Sequence, residues 1–139
     1  MAHVEFAGHV LERIRKIEQR FDERAYLFVL MALEYGQRRR PERGHMSGQE
    51  LAWACRDLAL NQYGLIAKSV VNYWGIDKTR DFGKIVYDLI SVGLFMKDES
   101  DRLEDFDDVY DFAEAFDQGY RWAGADQTGV EPNQKGSEA

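Results

Sequence analysis

The sequence predicts a mainly α-helical fold: a winged-helix-like three-helix unit with a small β-hairpin over Ser47 to Phe112, preceded by an N-terminal helical hairpin. Three observations predict it. Apolar residues recur at helical spacing from Leu51 to Ile90. Gly64, Gly75 and Gly93 stand where those helices would end in the left-handed conformation. Beyond Gly93, two short apolar runs flank a polar connection, the pattern of a hairpin wing.

Taken in order, Val4 to Arg20 reads as a first helix with a narrow apolar stripe, Phe6, Val10, Ile14, Ile17 and Phe21. Such a stripe suits docking on the same domain better than a dimer seam. Asp22 can cap a second helix from Glu23 to about Arg39. The middle of that helix, Ala25 to Leu33, is apolar on every face, so it should be surrounded and central. The loop Arg38-Arg39-Arg40-Pro41-Glu42-Arg43 is basic and turn-rich. It reads first as a solvated linker whose arginines complement the negative end of the preceding helix. Phosphate or an acidic partner is the alternative.

Ser47 and Glu50 fit a capping box that opens the next helix. Leu51, Ala54, Cys55, Leu58 and Ala59 give it an apolar face ending near Tyr63, and place Cys55 in the core. A second run, Leu65 to Trp74, closes at Gly75. Four residues then lead to Arg80, a length that fits a helix-turn-helix. Thr79 can cap the third helix, where Phe82, Ile85, Val86, Leu89 and Ile90 form the cleanest stripe of the chain. Gly83 inside it implies close contact with a neighbouring helix. Leu94 to Met96 and Val109 to Phe112 are the expected strands of the wing. Asp101 and Glu104 can cap a helical turn between them. A last helix is expected from Ala113 to Tyr120. Residues 1–123 read as one domain and 124–139 as a disordered polar tail.

The net charge of −7 hides an asymmetry. Arg38 to Lys84 holds nine basic and five acidic residues, whereas Lys97 to the end holds four and thirteen. An acidic wing would repel the phosphate backbone that dominates nucleic-acid affinity. The three histidines form no metal-binding pair, and one cysteine gives no zinc framework and no internal disulfide. Neither a phosphate loop nor a dinucleotide fingerprint occurs. The Asp105 to Asp111 cluster lacks the glycine and final glutamate of a calcium loop. The expectation is therefore a non-enzyme without cofactor or metal. A single cysteine, no secretory leader and no long apolar run point to a cytoplasmic protein that does not enter membranes.

The runs AYLFVLMALEYGQ, HMSGQEL, YWGIDKTRDFGKIVYDLISVGLF and EDFDDVYDF resemble the Verrucomicrobia–Planctomycetes conserved hypothetical family, from about Arg20 to Tyr120. The resemblance implies a shared fold and a bacterial origin, and carries no site residue. Two functions follow from the residues. The first is a protein-interaction or regulatory module, contacting a protein partner through Arg80, Lys84 and Tyr87 on the third helix and Arg39, Arg40 and Arg43 in the loop. The second is a nucleic-acid-binding regulator using the third helix and the 38–43 loop.

Overall fold

The computed structural model describes residues 9–17, 20–42 and 44–117. Among them run six α-helices: α1 (Val10–Arg15), α2 (Glu23–Arg38), α3 (Gly48–Tyr63), α4 (Ala67–Tyr73), α5 (Thr79–Ser91) and α6 (Phe112–Asp117). Two 3-10 turns, Gly64–Ile66 and Leu103–Phe106, join them. Most helix boundaries follow from local chemistry. Asp22 caps α2 by accepting the N–H of Arg24 at 2.9 Å. Ser47 and Glu50 form both arms of the capping box at the start of α3. Gly64, Gly75 and Gly93 have φ of 56°, 101° and 80°, a region that side chains disfavour, and each ends a helix.

Helix α2 is central and packs against α1, α3 and α5. Ala25, Tyr26, Val29, Leu30, Ala32 and Leu33 are fully buried or nearly so. The expectation of an all-round surrounded helix holds only in part, because Met31 is 46% exposed. Phe28 meets Trp74 at 5.4 Å between ring centroids, and Tyr63 meets Trp74 edge-on at 6.0 Å, closing the α2–α3–α4 corner. Tyr26 donates to Asp88 of α5, which also accepts from Arg20. Burial and the Asp88 carboxylate hold the Tyr26 phenol protonated, with its pKa far above the usual tyrosine value.

The winged-helix reading is overturned. Among the described residues there is no strand and no hairpin; Phe95 makes only an isolated bridge. The expected first strand, Leu94 to Met96, is a bend whose Leu94 and Phe95 plug the core. The expected return strand, Val109 to Phe112, is a bend that enters α6. Acidic side chains bind backbone N–H groups here, and so make turns in place of a ladder. Asp101 accepts from Asp98 at 2.8 Å, Asp105 from Arg102 at 3.1 Å, and Asp111 from Glu114 at 3.0 Å. Asp101 and Asp105, not the anticipated Asp101 and Glu104, therefore hold the turn.

Without a wing, the helix-turn-helix reading fails as well. The third helix of the trio, α5, is not a free recognition helix, because the Leu103–Phe106 turn lies on it. Gly83 is the seat of that contact. A Cβ there would stand 2.7 Å from Cδ2 of Phe106 and 2.8 Å from Cδ1 of Leu103, so the close neighbour is a 3-10 turn and not a helix. Thr79 is not a cap. Its hydroxyl donates to the Phe106 carbonyl at 2.6 Å and accepts the Val109 N–H at 3.1 Å. Asp81 does the capping, accepting the N–H groups of Asp77 and Lys78. At the ends, α1 stops at Arg15 short of the expected Arg20, and α6 begins at Phe112, one residue early. The expected positions Val4 to Gly8 of the first helix, Gln118 to Tyr120 of the last, and the 124–139 tail lie outside the described residues.

Candidate functional site

Of the six residues predicted to meet a partner, the five that the structure describes fall in two places. On α5, Arg80 pairs with Asp107, and Lys84 Nζ stands 3.7 Å from Asp81. Tyr87 is half-buried; burial, then Asp101, Asp105 and Glu104, raise its pKa. The cations that were to face phosphate are thus matched by carboxylates of their own chain. The nucleic-acid reading loses its recognition element on this ground, beside losing the wing. Arg43 lies outside the described residues. Arg39 and Arg40 remain, and they belong to a different place.

That place is a cleft of about 300 Å³ between the C-terminal end of α2 and the first half of α3. Gly36, Met46 and Ala54 make its floor. Gly36 lets Met46 and Ala54 pack close against α2, since a Cβ there would come within 2.7 Å of Met46 Cε and 3.1 Å of Ala54 Cβ. Arg39, Arg40, Glu50, Trp53 and Asp57 make the rim. Trp53 is 39% exposed, packs against Tyr110 in a tilted pair at 4.6 Å between ring centroids, and carries the Arg56 guanidinium over its ring at 4.7 Å. Tyr110 itself is tied down by donating to the Ala52 carbonyl at 2.8 Å. The Trp53 wall is therefore held from behind.

Electrostatically the rim is uneven. Asp57 accepts from Arg39 at 3.0 Å and from Arg56 at 2.6 Å. Arg39 also lies over the Tyr35 ring at 5.1 Å. Glu50 is engaged by the backbone of Ser47. Arg40 donates to the carbonyl of His45 at 2.8 Å, and no carboxylate among the described residues neutralises it. An aromatic wall, an apolar floor and an arginine with spare donors are the groups that dominate protein-binding hot spots.

Sequence reasoning found Arg39 and Arg40 but missed Trp53, Met46 and Gly36. One signal was legible: Trp53 stands off the Leu51, Ala54, Cys55 and Leu58 stripe, so a helix with that face buried leaves Trp53 at the rim. Cys55, by contrast, is fully buried, and burial raises its thiol pKa far above the ordinary range. This makes it a core residue, as expected, with little nucleophilic character.

A second cleft, of about 390 Å³, is lined by Asp77, Lys78, Asp108, Tyr110, Asp111 and Phe112. Among the described residues no group of three or more His, Cys, Asp or Glu has the geometry to hold a metal ion. No helix among them is long and apolar enough to cross a membrane. Neither a family model, nor a curated protein, nor a solved structure matches this chain.

Proposed function

We propose that this chain is a non-enzymatic interaction module whose docking face is the α2–α3 cleft. The single observation behind the reading is the pairing of a half-exposed, rigidly backed Trp53 with an Arg40 that meets no carboxylate among the described residues. Large amphipathic side chains held in one rotamer lose little entropy on binding, and a desolvated arginine seeks a carboxylate. The partner segment that fits carries an apolar side chain for the Gly36–Met46–Ala54 floor and an acidic one beside it. A reducing cytoplasm suits the single buried thiol, and we place the protein there. Membership of the Verrucomicrobia–Planctomycetes conserved hypothetical family is part of the same proposal, resting on the motifs quoted above.

Photo-crosslinking tests the docking face. A benzophenone amino acid at Gln49, exposed one turn before Trp53 on α3, is compared with one at Asn72, exposed on α4. Discrete adducts from position 49 that vanish on Trp53→Ala and on Arg40→Ala are expected. Adducts equal at both positions, or untouched by those substitutions, would remove the cleft as the docking face.

A further inference from the structure

Beside the cleft, the loop after α5 exposes an apolar side chain among charges. Met96 is 57% exposed, and Lys97, Asp98 and Glu99 follow it, all exposed. Glu99 meets no cation among the described residues, whereas Asp98 lies 3.4 Å from His45 Nδ1. His45 is the hinge of the geometry. Its carbonyl takes the Arg40 hydrogen bond, its ring reaches Asp98 and Asp101, and the next residue, Met46, floors the cleft. The Met96–Glu99 loop and the cleft therefore share one face of the molecule.

The two are complementary. The cleft offers an apolar floor, one cation that meets no carboxylate among the described residues, Arg40, and two rim acids, Glu50 and Asp57, of which Asp57 is already matched by Arg39 and Arg56. The loop offers an exposed apolar side chain with one carboxylate short of a cation, Glu99, and one basic residue, Lys97. A patch that carries both a key and its lock side by side is what a twofold interface requires, because each copy then gives and receives the same contact. We propose that the cleft takes the Met96–Glu99 segment of a second copy of this chain, with Arg40 of each protomer facing Glu99 of the other. This rests on the cleft being the docking face and adds the identity of its occupant.

The test is reciprocal charge reversal, read by sedimentation equilibrium on the full chain. Wild type is expected to approach twice 16.1 kDa as concentration rises through the micromolar range. Arg40→Glu alone places two carboxylates at each symmetric contact, and Glu99→Arg alone places two cations there. Each should weaken association by about 100-fold, since like charges across an interface cost several kcal/mol. An equimolar mixture of the two variants restores opposite charges at both contacts, and should form a heterodimer near wild-type strength. Circular dichroism melts of each variant, unchanged within error, confirm that folding is intact.

Three results would overturn the proposal. They are a wild-type chain that stays monomeric, single variants that associate like wild type, and a mixture that fails to recover association. A monomer that still gives Arg40-dependent crosslinks to another protein would assign the cleft to a foreign acidic segment. That outcome keeps the docking face while discarding self-association. A monomer without such crosslinks would discard both.

Discussion

Replacing Gly83 by alanine sets two effects of opposite sign against each other. In an ordinary exposed helix position the change stabilises by about 1 kcal/mol, because alanine has the higher helix propensity. Here the new methyl would stand 2.7 and 2.8 Å from Cδ2 and Cγ of Phe106, and 2.8 Å from Leu103. Phe106 is fully buried and its ring cannot swing into solvent. Its backbone is also anchored, through the carbonyl that accepts from Thr79. Overpacking of this kind costs about 1–3 kcal/mol, so the expected net is a destabilisation of up to about 2 kcal/mol. For a chain of this length that lowers Tm by up to about 6 °C. Urea unfolding followed by circular dichroism reads it directly, and the slope should stay unchanged. The same substitution in a Phe106→Leu background should cost less, since the ring that collides is gone. If Gly83→Ala raised stability by the usual helical amount, the packing of the 3-10 turn onto α5 would be wrong.

Other changes probe neighbouring joints. Thr79→Val keeps the shape but leaves the Phe106 carbonyl and the Val109 N–H without their partner. A loss of about 2 kcal/mol is expected, with Thr79→Ser losing much less, by chemical denaturation. Asp22→Ala should cost about 1 kcal/mol through loss of the α2 cap. Hydrogen bonds from the Arg24 side chain, then from the Arg24 backbone, lower the Asp22 carboxyl to about 2. A folded value below the unfolded one means that its contribution is complete above about pH 4 and fades as pH falls through about 2. The gap between wild type and Asp22→Ala should therefore narrow at pH 2. Because the pair is exposed, added salt should shrink it too. A gap equally wide at pH 7 and pH 2 would refute the cap's charge.

How far the sequence could be read depended on where the deciding interactions lie. Ser47 with Glu50, Asp22, and the glycines at 64, 75 and 93 act within four residues of themselves, so pattern alone exposes them. The wing failed because Leu94 to Met96 is too short a run to tell a strand from a core-filling bend. Phe112, Ala115 and Phe116 carry a helical period that outweighed the strand reading of Val109 to Phe112. Asp98, Asp101 and Asp105 looked like a solvated wing tip, yet Asp101 is buried and binds backbone. The cleft was half legible. Arg39 and Arg40 stood out as charge, but only the folded chain brings Gly36, Met46 and Trp53 beside them.

The hydrogen bonds from Thr79 to Phe106 and from Tyr110 to Ala52 join positions 27 and 58 residues apart in the chain. During synthesis, then, α5 leaves the ribosome well before the segment that roofs it. Until residue 106 emerges, the Phe82 and Gly83 side of the nascent helix lacks its cover. A growing chain in that interval presents apolar surface to chaperones and proteases, and a product truncated after Ser91 would keep that liability permanently.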